Sequence, residues 1–163
     1  MEYIEEVIAM LVLLSIAAFC SASETAYSAT DYEKLSELKK KQVYGSKLAV
    51  KLVDKFDHAL SAILVSNTVV SIALASTGAV VFGDMLEDDE FGAAISTVIL
   101  TVVVLIFSEI SPKLLAKEAP EKFACALAWP LYIMTLVMLP ACYLTAIWKK
   151  FLKKVLSLRR AEN

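Results

Sequence analysis

The sequence predicts an all-α integral membrane protein with three transmembrane helices, two amphipathic helices on the cytoplasmic side and a proline-interrupted fourth segment that does not cross. Three observations carry this. The chain of 163 residues is 58% hydrophobic with a mean hydropathy of +0.65, well above that of an ordinary soluble domain. Its 21% charged residues gather in short intervals, leaving apolar runs near the roughly 20 residues a helix needs to cross about 30 Å of hydrocarbon. The intervals also differ in sign: residues 29–57 hold seven lysines, whereas "GDMLEDDEFG" holds acids and no base.

The first span runs from about Tyr3 to Ser28. Glu2, Glu5 and Glu6 lead it, the wrong sign for a secretory leader, and its apolar stretch outlasts a leader's core, so it reads as a retained membrane helix. In residues 29–57, Leu35, Leu38, Leu48, Leu52 and Phe56 recur at helical spacing among the lysines, predicting two short amphipathic helices hinged near Gly45. A second span covers about His58 to Phe82 and a third about Phe91 to Ala116. The excess of lysine places the 29–57 loop in the cytoplasm and the amino terminus outside.

That orientation constrains residues 123–148. An ordinary fourth crossing would carry Lys149, Lys150, Lys153, Lys154, Arg159 and Arg160 outside, against the charge bias. Pro130 and Pro140 remove backbone donors and are expected to kink or break the helix, and Trp129, Tyr132, Tyr143 and Trp148 favour the headgroup level. The segment is therefore expected to enter from inside, bend, and return or lie along the inner interface; a true fourth crossing is the rival. The tail "KKFLKKVLSLRRAEN" alternates bases and apolar residues like a helix on an anionic inner leaflet, and its abrupt end suggests a soluble domain to follow.

Several functions are excluded by residue type. Cys20, Cys125 and Cys142 sit singly in apolar segments without metal-ligand spacing. His58 is the single histidine, which removes histidine metal clusters and Ser-His-Asp triads. The four glycines form no phosphate loop, nothing suggests nucleic-acid binding, and every Asp lies in a loop without a nucleophile–base pair, so the chain does not read as an enzyme.

Polar residues nevertheless stand inside the spans. In "CSASETAYS", Ser21, Glu24, Thr25 and Ser28 share one helix face. The second span carries Ser66, Asn67 and Ser71, and the third carries Ser108, Glu109 and Ser111 in "FSEISPK". Counted from inner boundaries near Ser28, His58 and Ala116, residues Ser21, Ser66 and Glu109 each lie roughly 10 to 12 Å deep at 1.5 Å per residue. A charge there costs about 2.5 to 3.5 kcal/mol even on lenient scales, so Glu109 is expected to face a protein-lined or watery cavity. Pro112 has no N–H for the carbonyl of Ser108, baring an oxygen beside Glu109. A carboxylate, hydroxyls, an amide oxygen and a bared carbonyl make an all-oxygen site suited to Mg²⁺, Ca²⁺ or Na⁺ rather than zinc or copper. Blander roles stand beside this one. Thr25, Ser28 and Ser71 each read better as packing residues, Glu24 serves equally as an interfacial anchor, and Lys113 is expected to reach the headgroups rather than pair with Glu109. Ala75 and Ala79 form a small-x-x-x-small pair for a helix contact or dimer seam.

With "SASETA", the Ser66–Asn67 pair and "SEISPK" in their three successive helices, the chain resembles the CorC/cyclin M family of magnesium transporters. The resemblance covers residues 1–155 as the membrane domain, with 156–163 a basic linker towards a cytosolic cystathionine-β-synthase-type (CBS) pair that binds ATP and is absent here. It implies a homodimer in the plasma membrane, three spans and a juxtamembrane belt helix per subunit, and export of Mg²⁺ coupled to entry of Na⁺. Carried over by motif, the metal ligands are Ser21, Ser66, Asn67, Ser108 and Glu109; Glu24, Thr25, Ser71, Pro112 and Lys113 are expected to support them from the reading of the residues themselves. The chain departs from the family pattern at Ala17, where a polar residue is common, at Ser66 and Ser108, where Gly is usual, and at Thr68 and Ser71, where Asn is usual. Two other classes compete: a membrane anchor or sensor whose polar residues are structural glue, and a passive divalent-cation channel.

Overall fold

The computed structural model describes residues 4–85, 90–140, 143–144, 146–148 and 150–152. Among them the regular structure is all helical, with α1 (Ile4–Ala29), α2 (Tyr32–Lys40), α3 (Ser46–Asp54), α4 (Phe56–Met85), α5 (Glu90–Val104), a π-helical segment (Leu105–Ile110), α6 (Ser111–Glu118) and α7 (Pro120–Val137). Three stretches are long and apolar enough to cross a membrane: Ile4–Ala29, Phe56–Val81 and Thr97–Glu118. These match the expected spans to within a few residues, except that the third apolar stretch begins later. The acidic loop from residue 86 to 89, Cys142 and the basic tail from residue 153 lie outside the described residues.

The lysine-rich loop folds as its periodicity requires. Asp31 caps α2 by accepting the Glu33 N–H at 2.8 Å, replacing a partner that helix geometry leaves missing. The hinge needs a left-handed residue, and Gly45 supplies it with φ of 77°. Glycine is required there for a second reason: a Cβ on Gly45 would collide with the carbonyl oxygen of Cys125 in α7.

That close approach is part of how α7 is held. Ala124, Cys125, Ala128 and Leu131 are buried at helical spacing, on an element that packs against α1, α3 and α4. The Tyr27 hydroxyl donates to the Ala124 carbonyl at 2.8 Å, and Lys34 lies 4.0 Å from Glu121. The opposite side exposes Trp129, Ile133, Leu136 and Val137.

Pro130 does not break this helix: α7 runs through it to Val137. Both Pro130 and Ala126, whose carbonyl loses its helical donor to the proline, are exposed, so the defect faces away from the packed side. The break comes at Met138, whose N–H bonds to the carbonyls of Met134 and Leu136. Leu136 is the residue that Pro140 leaves without a donor, so this turn supplies the missing bond.

Burial is concentrated at the lysine-loop end of the spans. Cys20, Ala22, Ala26, Tyr27, Ala59, Ile63, Ala116, Ala124 and Leu131 form one cluster with Leu35, Ala49 and Leu52 of the loop helices. Small residues dominate it, as expected where helix backbones must approach closely without a hydrophobic drive from lipid.

Candidate cation site

Helix α1 is the hub, because it packs against α4, the π segment, α6 and α7. Ser21 of α1 and Ser66 of α4 are buried, 1% and 3% exposed, and both hydroxyls lack a hydrogen-bond partner. This is not a general property of helical serine and threonine here. Ser15, Ser61, Thr68, Thr77 and Thr101 all donate to the carbonyl four residues back, at 2.7 to 2.9 Å. An unsatisfied buried polar group costs about 1 to 3 kcal/mol, so leaving these two hydroxyls unbonded carries a cost.

Ser108 is also buried, and its hydroxyl donates to the Val104 carbonyl at 2.7 Å. Donating the proton leaves the oxygen's lone pairs free to accept or to ligate. The backbone around it is irregular. Within the π segment the Ser111 N–H bonds to the Ile106 carbonyl, five residues back. The Phe107 carbonyl thereby loses Ser111 as its α-helical donor, and its π-helical donor would be residue 112, which is proline. The carbonyl expected to be bared by Pro112 was that of Ser108; the π register adds Phe107, one residue earlier. Single π turns of this kind are frequent at functional sites.

Glu109, the last acid before the α6 proline, is half-buried. It lines a cleft of about 240 Å³ between α4 and α5 together with Ser71, Leu74, Ala75, Thr101, Val104 and Leu105. The structure thus brings Glu109 and Ser71 together. Ser21, Ser66, Asn67 and Ser108 do not line that cleft. Ser21 lies on α1, Ser66 and Ser108 lie on elements that pack against α1, and Asn67, next to Ser66 in sequence, is half-buried. Ala17 is buried as a packing residue one turn before Ser21, and Thr25 is half-buried.

Lys113 pairs with Glu24 rather than with Glu109. Its ammonium lies 3.5 Å from the Glu24 carboxylate, with side chains 41% and 33% exposed. The reason is that α1 packs along α6, which brings the two opposite charges together. Among the described residues no three His, Cys, Asp or Glu come together, so any ion held here would draw mostly on hydroxyl, amide and carbonyl oxygens.

Residues 8–163 match the family described as the cyclin M transmembrane N-terminal domain. The chain belongs to this family. It is 36% identical to a UPF0053 protein of Haemophilus influenzae over 152 residues, 93% of this chain and 36% of that protein. It is 32% identical to the UPF0053 inner membrane protein YfjD of Escherichia coli K12 over 144 residues, 88% of this chain and 33% of the other. A chloroplastic DUF21 domain-containing protein of Arabidopsis thaliana is 26% identical over 159 residues, 95% of this chain and 23% of its own length. The cyclin M domain described here therefore spans about a third or less of the length of these relatives.

Sequence reasoning missed three features of this cyclin M domain. Ser23 is fully buried with a partnerless hydroxyl; it lies on a different face from Ser21, and only packing reveals its burial. The Glu24–Lys113 pair joins residues far apart in sequence. The π register has one local signal, Pro112, but a proline alone does not say which carbonyl is released.

Proposed function

We propose that this domain is a secondary transporter that carries Mg²⁺ outward across the plasma membrane, driven by entry of Na⁺. Membership of the cyclin M family supports transport as the class, and the oxygen-only donor set supports a hard cation. The observation that carries the reading is the pair of buried, partnerless hydroxyls at Ser21 and Ser66, on helices that pack together. A buried hydroxyl without a partner calls for an explanation, and a bound ion or water is one that both serines could share. In this reading Glu109 meets the ion in the α4–α5 cleft, and the ion then moves against Ser21, Ser66, Asn67 and Ser108 as α1 shifts on the π segment. The lysine-loop end faces the cytoplasm and the amino terminus the outside. The protein works as a homodimer, for which the exposed Ala75 and Ala79 offer a small-residue seam, and a CBS-type pair that binds ATP follows in the full-length chain.

Vesicles holding a magnesium-sensitive dye test this. The transporter responds to an opposing sodium gradient, a channel responds only to voltage and magnesium, and an anchor to neither. Glu109→Gln should reduce the flux to the level of empty vesicles while the protein elutes and melts as wild type; unchanged flux refutes the role of Glu109. For orientation, Tyr44→Cys, at a residue 76% exposed in the lysine loop, should react with an impermeant maleimide only from the cytoplasmic side.

A further inference from the structure

A second cavity, of about 280 Å³, opens between α3, the start of α4 and α7. Its walls are two-sided. Lys51, Lys55 and His58 supply basic groups from the α3–α4 corner, and Leu52, Leu136 and Leu139 supply an apolar side. Tyr132 and Thr135 stand between them. The Lys51 ammonium lies 5.7 Å from the centre of the Tyr132 ring, within reach of a cation–π attraction that keeps it over the cavity. The Thr135 hydroxyl donates to the Tyr132 carbonyl at 2.7 Å, which leaves its oxygen able to accept but not its proton to give. The acids nearest in sequence, Asp54 and Asp57, do not line the cavity.

Position adds to composition. The apolar stretch of α4 begins at Phe56, so Lys51, Lys55 and His58 stand where hydrocarbon gives way to headgroups, and the positive dipole end of α4 points the same way. Leu136 and Leu139 are 49% and 56% exposed, continuous with Ile133 and Val137 on the outward side of α7. An occupant must present negative charge at one end and hydrocarbon at the other.

We propose that this cavity binds an anionic phospholipid, with its phosphate between Lys51 and Lys55 and the first part of an acyl chain along Leu136 and Leu139. The lipid would then join α3 to α7 across their shared corner. The proposal does not depend on transport, since none of the cavity's residues lines the Glu109 cleft and it reads out as binding.

The test is native mass spectrometry of the detergent-purified protein titrated with phosphatidylglycerol, phosphatidylcholine or inorganic phosphate. Phosphatidylglycerol should bind about ten-fold tighter than phosphatidylcholine. Each lysine lost should weaken it about five-fold and Lys51→Gln with Lys55→Gln about 25-fold, whereas Lys39→Gln with Lys47→Gln, at exposed lysines outside the cavity, should not. Leu136→Trp fills the apolar end and keeps both lysines; it should also lower phosphatidylglycerol binding, and its melting curve shows whether the fold is intact. Equal binding of both lipids, or no effect of the lysine pair, overturns the proposal. So does inorganic phosphate displacing phosphatidylglycerol at equal concentration, which would mean that the site takes a free anion.

Discussion

The two halves of α1 belong to one candidate span and have opposite roles. From Ile4 to Ile16 the helix has no buried residue, and Ile4, Val7, Ile8, Leu11 and Val12 are 45% to 58% exposed. From Ala17 to Tyr27 it holds Ala17, Cys20, Ser21, Ala22, Ser23, Ala26 and Tyr27 buried. The exposed half is built of large aliphatic residues and the buried half of small ones. In lipid a large apolar side chain gains nothing by leaving the hydrocarbon, so packing is driven by close approach and polar contact, and small residues permit both. The half that packs is also the half that carries the partnerless serines and the Glu24–Lys113 pair. Rigidity and polar chemistry are therefore built into the same end of the bundle.

The sharpest way to break this contrast is at the tightest contact of the packed end. Gly45→Ala places a Cβ against the Cys125 carbonyl at a left-handed residue and should cost about 2 to 4 kcal/mol, seen as a lower melting temperature in detergent. Burial, and then the Glu121 carboxylate, push the Cys125 thiol up from its usual range, so it is poorly reactive at neutral pH. In Gly45→Ala it should alkylate faster as α7 separates from the hinge; an unchanged rate would show that α7 is not held there.

Ser66→Ala sharpens the comparison by moving two measurements in opposite directions. Removing a partnerless hydroxyl should raise stability by about 1 kcal/mol and should abolish any magnesium-dependent rise in melting temperature. A loss of stability would mean that the hydroxyl has a structural partner. A smaller effect is expected at the Glu24–Lys113 pair, because both groups are partly exposed. Lys113→Gln should cost less than about 1 kcal/mol, and the loss should shrink in high salt. Val12→Ala, in the lipid-facing half, should change stability by no more than about 0.5 kcal/mol. A cost comparable with that of Gly45→Ala would show that the exposed half is packed against something else.

Much of the fold was legible because a span is a local property. Length, hydropathy and charged boundaries located α1, α4 and the third apolar stretch, and the lysine–leucine periodicity with Gly45 located α2 and α3. Pro130 misled because whether a proline breaks a helix depends on where its orphaned carbonyl points, and in α7 that side is exposed. The motif serines were legible as unusual residues in lipid. That Ser71 shares a cleft with Glu109 while the buried Ser21, Ser66 and Ser108 do not line it was not, since rotation about the helix axis is set by neighbours.

The sequence by itself determined that this chain enters a membrane, how many helices are long enough to cross it, and which few polar residues they carry, because transfer into hydrocarbon depends on each segment's own composition. Only the tertiary structure decided which hydroxyls lose their partners, which carbonyl the π register releases and which acid Lys113 meets. Those depend on the distance and rotation between helices, and no single helix encodes either.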